Sequence, residues 1–234
     1  MIKVVVFDAY GTLFDVYSIG ALADALYPGQ GGAIAKLWRD KQIEYTRLIA
    51  MSDPCGAGGS RYYQSFWDIT RAALRYTLER LALVWSEANE DALMGLYAKL
   101  DAHPENLDVL RRLRSLGVTT AILSNGSPAM LESAVQGAGM ADLLDKVISV
   151  DSVRSFKTTP ASYALVGQAL GVQSHEALFV SSNAWDALGA TWFGFTTLWV
   201  NRQNLPFEAI GPRPHFVGPN LTRVLDVLPL CMGR

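Results

Sequence analysis

Val4-Val5-Val6-Phe7-Asp8-Ala9-Tyr10-Gly11-Thr12-Leu13-Phe14 is the stretch that decides the fold. Four apolar residues in a row, three of them β-branched, make a strand buried on both faces, and the run breaks at an aspartate with Gly-Thr close behind. A carboxylate thus stands at the C-terminal tip of a buried strand. Open α/β sheets bind their ligands at that tip, and Gly11 allows the sharp turn that aims backbone N–H groups back at it. Asp8 is the first candidate for chemistry, although an aspartate here also serves simply to turn the chain.

Working outward, the pattern changes after Thr12. From about Tyr17 to Leu100 the apolar residues recur at helical spacing, as in Ile34, Leu37, Trp38, Tyr45, Leu48 and Ile49, with no buried strand among them. This predicts a helical insert. Within it Asp53 to Ser60 reads as a mobile surface loop broken by Pro and Gly, and Tyr62 to Trp85 as a helix covered on more than one side. Beyond His103-Pro104 helices alternate with strands. The strands are expected over Val118–Leu123, Val147–Val150, Ala177–Val180 and Phe195–Val200, and a closing helix over Leu221–Leu228. The expected fold class is α/β, a doubly wound, Rossmann-like parallel sheet with right-handed crossovers and helices on both faces. Residues 1–15 and 101–234 would form this core, and residues 16–100 a helical cap domain.

Composition narrows the partners. The 234 residues are 50% hydrophobic and 18% charged with a net charge of -2, so no basic excess calls for nucleic acid or anionic lipid, and small molecules are expected instead. No apolar run approaches the roughly 18 residues of a membrane span, and Met1 to Lys3 lead into the strand without a signal-peptide pattern. A cytoplasmic location is the default expectation. Cys55 and Cys231 lack metal-ligand spacing and read as free thiols.

The polar residues follow predicted strands. Asp8 and Thr12, then Ser124 and Asn125, then Lys157, then Ser181, Asn183 and Asp186 would all gather at one edge of the sheet. Singly, each can be a turn, a cap or a solvated charge; their convergence argues for a site.

These residues resemble the four ordered motifs of the haloacid dehalogenase superfamily: Asp8-Ala-Tyr-Gly-Thr12, Leu123-Ser124-Asn125-Gly126, Lys157, and Ser181-Ser-Asn183-Ala-Trp185-Asp186. With Trp38-Arg39, Gln42-Ile43-Glu44-Tyr45 and Ala190-Thr-Trp-Phe-Gly-Phe, the likeness is to the L-2-haloacid dehalogenases in particular. Two departures from the superfamily's commoner phosphatases support that. Where a phosphatase places a second aspartate to protonate a leaving alkoxide, this chain has Tyr10, and a departing halide needs no proton. Where a phosphatase holds magnesium with carboxylates, this chain has Ser-Ser-Asn, so no metal and no cofactor is expected. Lys157 can supply the positive charge instead.

The resemblance implies a two-step hydrolysis. Asp8 attacks C2 of a short L-2-haloalkanoate, expels halide and becomes an ester; water then attacks the Asp8 carbonyl carbon and releases a D-2-hydroxyacid. Donors for the resulting oxyanion would be N–H groups of the turn through Tyr10 and Gly11, with the Thr12 hydroxyl. Asp186, with Ser181, Asn183 and Lys157, would position and activate the water. The family further implies that Ser124 meets the substrate carboxylate and that Arg39 with Asn125 takes the halide. Ile43 and the aromatics Tyr10, Phe66, Tyr163 and Trp185 would wall the pocket, Tyr163 also counting among the catalytic residues, and a homodimer is implied. A metal-dependent phosphatase, a fluoroacetate-preferring enzyme and a non-catalytic binding protein stand as alternatives.

Overall fold

The structure, a computed structural model, describes residues 1–53 and 58–232. Val4–Phe7 forms β1, and every one of its side chains is buried, as an apolar run without alternation requires. The chain then turns at Gly11, whose φ of 95° no residue with a Cβ adopts easily. Among the described residues it continues through helices α1 (Gly20–Leu26), α2 (Gly31–Ser52), α3 (Phe66–Arg80) and α4 (Glu87–Tyr97). The chain leaves and re-enters side by side: the Asp15 amide donates to the Asp101 carbonyl at 2.8 Å, and Phe14 bridges Ala102 antiparallel.

Alternation follows with α5 (Asn106–Ser115), β2 (Thr119–Ser124), α6 (Pro128–Gly137), β3 (Lys146–Ser149), α7 (Pro160–Leu170), β4 (Ala177–Ser181), α8 (Ala184–Phe193), β5 (Thr196–Val200), β6 (Phe216–Gly218) and α9 (Arg223–Met232). The six strands lie in the order β3-β2-β1-β4-β5-β6. All pairs are parallel. From β1 the chain winds one way to β2 and β3 and the other way from β4 to β6, so the order reverses between β1 and β4. A crevice opens at such a switch point, outside the carboxyl ends of the strands. Asp8 follows β1 there and Ser181 closes β4, in a register that pairs Phe7 with Val180.

Several details differ from expectation. Leu48 is 55% exposed, while α2 buries Ile34, Trp38, Arg39, Gln42, Ile43 and Thr46. The apolar count placed the inward stripe slightly out of phase, because three polar side chains share it. The helix expected from Tyr62 starts at Phe66, where Ser65 caps it by accepting from the Asp68 amide. The three-residue strand β6 is too short to carry a periodic signal. Positions 54–57 of the Gly-rich loop, including Cys55, lie outside the described residues, but the loop's end is docked: Ser60 is buried and its amide donates to Arg154 O at 3.0 Å. Cys231 is a half-buried free thiol. No helix among the described residues is long and apolar enough to cross a membrane.

Candidate active site

Lys157 is the centre of the site. It carries a charge at 1% exposure, which only close counter-charges make tolerable. Its Nζ donates to Asp8 Oδ1 at 3.0 Å and to Asp186 Oδ2 at 2.9 Å. Burial alone would lower the ammonium's pKa, but the charges of Asp186 and Asp8 outweigh it and hold it above the ordinary lysine range. Burial likewise pushes the Asp186 carboxyl up to about 6, against the pull of Lys157. Asp186 is fixed from the other side by Tyr163, whose hydroxyl donates to Asp186 Oδ1 at 2.7 Å. Tyr163 therefore holds a carboxylate and does not stand as an apolar wall; its ring packs among Phe179, Phe193 and Phe195.

The two oxygens of Asp8 are treated differently. Oδ2 accepts from Thr12 Oγ1 at 2.8 Å, from Asn183 Nδ2 at 2.8 Å and from Ser181 Oγ at 3.5 Å. Oδ1 accepts from Lys157. A carboxylate pinned through one oxygen keeps lone-pair capacity on the other, so Oδ1 is the oxygen better placed to attack. Asn183 occupies the N-cap position of α8, yet its side chain makes no capping bond. It turns to Asp8 and the Tyr10 carbonyl instead. The turn itself corrects one expectation: the Gly11 amide is committed to Phe14 O at 2.7 Å and is not free for an oxyanion. Thr12 keeps its hydroxyl on Asp8, donating to Oδ2 while accepting from the Ser182 amide.

The remaining expected residues reach the site from two sides. After β2, Ser124 Oγ accepts from the Gly126 amide at 3.0 Å, which leaves its own O–H to donate. Asn125 Oδ1 accepts from the Lys157 amide at 2.9 Å, which leaves the Asn125 NH₂ group to donate. Gly126 lies under Tyr10, where a Cβ would come within 2.7 Å of the ring. Tyr10 is buried beside Phe66 and Tyr97, and its hydroxyl has no partner among the described residues. From α2, Arg39 Nη2 donates to Tyr10 O at 2.9 Å and Asn183 Oδ1 at 3.2 Å.

Arg39, Asn183 and Gly11 line a cavity of about 770 Å³, together with Ile43 and Trp185. Asp8 does not itself line the cavity but is bonded to Asn183, which does. Trp185 is half-buried at the cavity's wall, with Arg47 over its ring at 5.8 Å; Phe66 packs deeper, against Tyr10 and Phe156. A second cavity of about 780 Å³ lies between α6, β3 and α7, and none of the site residues lines it. The magnesium ion that the phosphatase alternative would require does not suit this donor set. The two carboxylates that would share a hard cation are already bridged by an ammonium, and no group of three acidic, His or Cys side chains is clustered among the described residues.

Gln42, part of the likeness in sequence, had no role assigned to it there. It is buried at 1%, and Arg39 Nη1 donates to its Oε1 at 2.6 Å. The available signal was its phase, three residues after Arg39 on one helical face.

Residues 2–194 match the haloacid dehalogenase-like hydrolase family. Along the whole chain, 233 residues are 40% identical to an (S)-2-haloacid dehalogenase of Pseudomonas sp. (strain YL), 97% of which is covered. The chain belongs to the L-2-haloacid dehalogenases. A crystal structure of one such enzyme superposes on this dehalogenase with a TM-score of 0.93 at 52% identity, covering 97% of this chain and 98% of the other. The L-2-haloacid dehalogenase of Xanthobacter autotrophicus, solved with chloropropionic acid covalently bound, superposes with a TM-score of 0.86 at 40% identity, covering 97% and 99%.

Proposed function

We propose that this enzyme hydrolyses short L-2-haloalkanoic acids to D-2-hydroxyalkanoic acids through an ester on Asp8, with inversion at C2 and without a metal. The observation that carries the reading is the asymmetric Asp8 carboxylate, pinned at Oδ2 by three donors and open at Oδ1 beside Lys157. Oδ1 attacks C2 opposite the halogen; the C–O bond forms as the C–halogen bond breaks, and halide leaves with the electron pair. Arg39 and the Asn125 amide receive the anion, a guanidinium being well suited because it brings fixed donors and a permanent charge. The Ser124 hydroxyl, with its proton uncommitted, meets the substrate carboxylate.

In the second step water attacks the carbonyl carbon of the Asp8 ester, and Asp186 accepts its proton. The ammonium of Lys157 lies between the two carboxylates and offsets the negative charge that builds up on the tetrahedral intermediate. Asn183 and Thr12 already donate to Asp8 Oδ2, the oxygen on which that charge develops. Collapse breaks the bond between the acyl carbon and the substrate oxygen, which takes the proton held by Asp186 and leaves as the hydroxyacid, while Asp8 is restored as a carboxyl that gives up its proton to solvent. On this reading residues 16–100 form a cap over a core of residues 1–15 and 101–234.

Halide release from separate L- and D-2-chloropropionate, with chelator present and Asp8→Asn as control, tests the proposal. Chloride from the L isomer alone, insensitive to chelator and absent in the variant, is the expected result. Magnesium-dependent hydrolysis of a phosphate ester without halide release would overturn it.

A further inference from the structure

Three helices of the insert converge on one neutral amide. Gln42 sits on α2 at 1% exposure, and every polar atom of its side chain is engaged. Nε2 donates to Thr70 Oγ1 on α3 at 2.6 Å. Oε1 accepts from Arg39 Nη1 at 2.6 Å and from the Tyr97 hydroxyl on α4 at 3.1 Å. The direction of the amide follows from Thr70. Its hydroxyl proton is spent on the Phe66 carbonyl at 2.6 Å, so its oxygen must accept from Gln42. The carbonyl end of Gln42 is thereby forced towards Arg39. The same turn of α3 is tied to α2 a second time, where the Trp38 indole donates to Thr70 O at 2.7 Å.

Arg39 has five N–H donors, and three serve Gln42, Tyr10 O and Asn183 Oδ1. The guanidinium is thus held from the insert on one side and from the Asp8 turn on the other. A long side chain has many rotamers, and an anion that appears only as a bond breaks profits from a donor set already in place. A carboxylate at position 42 would hold the guanidinium as firmly but would also neutralise it. A neutral acceptor orients the charge and leaves it available.

We propose that Gln42 is a positioning residue for halide departure, acting through Arg39, with Thr70 and Tyr97 setting the amide's orientation. The inference rests on the reading of Arg39 as the halide ligand. It requires that loss of Gln42 slows the carbon–halogen step most where the leaving group needs most help. A residue that only stabilised the fold would change chloride and bromide release alike.

The experiment compares native enzyme, Gln42→Met, Arg39→Lys and the double variant, using L-2-chloropropionate and L-2-bromopropionate under single-turnover conditions. Gln42→Met is expected to slow chloride release by about 10- to 100-fold, the scale of a misplaced catalytic group, and bromide release several-fold less. Adding Gln42→Met to Arg39→Lys is expected to change little further, because the two act on one interaction. Thr70→Val, which conserves shape, is expected to shift the chloride-to-bromide ratio the same way and by less; it gives the answer if Gln42→Met does not fold. Arg39→Lys slow and chloride-selective with Gln42→Met and Thr70→Val at native ratios would overturn the role of Gln42, as would multiplying effects in the double variant. Arg39→Lys at native rate would instead remove the halide reading, and the inference with it.

Discussion

Replacing Lys157 by Met keeps the volume of a linear side chain but removes the charge between Asp8 and Asp186. Two carboxylate oxygens are then left facing each other, no more than about 6 Å apart because each lies within 3.0 Å of the one ammonium, and at an effective dielectric of about 20 they repel by roughly 3 kcal/mol. Breaking a buried ion pair by removing one partner costs about 3–5 kcal/mol, in the same range. The loss depends on pH. The folded-state pKa of Asp186, about 6, lies above its ordinary value of 3.8, so its contribution to stability declines as pH rises between those values. Without Lys157 the folded value climbs further and the decline extends upward. The destabilisation of Lys157→Met is therefore expected to be about 2–3 kcal/mol larger at pH 8 than at pH 5, where Asp186 takes up a proton and the repulsion vanishes. Urea denaturation at the two pH values measures it, read from midpoints at unchanged slope. Equal losses at both values, or a loss below about 1 kcal/mol at pH 8, would refute the assignment of Lys157 as shared counter-ion.

The Asp186 carboxyl, pushed up to about 6 by burial with a further push from the Asp8 charge, must be ionised to accept a proton from water; the ester removes the Asp8 charge, so the rate of ester hydrolysis is expected to rise with pH and to level off at or below about 6. Asp186→Asn is expected to abolish that limb and to leave the Asp8 ester detectable by intact-protein mass after incubation with substrate; free Asp8 in the variant would count against the assignment. Away from the site, Glu90 accepts from Arg71, Arg75 and the Trp85 indole, and these bonds hold its carboxyl down to about 2. Since Arg71 and Arg75 are 33% and 55% exposed, screening reduces the gain, and Glu90→Gln is expected to cost about 1–2 kcal/mol at pH 7. That difference is present above the ordinary glutamate value and disappears as pH falls towards about 2, which denaturation at pH 7 and pH 3 would reveal.

What the sequence determined by itself was local or periodic. An unbroken apolar run followed by Asp8 and Gly11 marks a buried strand and its tip, whatever the rest of the chain does. Alternation after His103 placed β2, β3, β4 and β5 to within about a residue or two, and with them the tips that carry Ser124, Asn125 and Ser181. Lys157 and Asp186 were legible through the resemblance to ordered motifs, and they meet Asp8 because the strand order reverses between β1 and β4.

Tertiary structure decided the contacts that no neighbouring residue announces. Tyr163 was expected at the site, but only the approach of α7 to α8 gives its hydroxyl to Asp186. Gln42 stood in the sequence only as part of the family likeness, with no partner in view; its partners lie 28 residues away in Thr70 and 55 away in Tyr97. Strand and helix periods arise from forces between residues a few positions apart, so the sequence displays them directly. The worth of a buried polar group depends on which donors and acceptors packing brings within 3 Å of it, and that is settled only when distant elements close on one another.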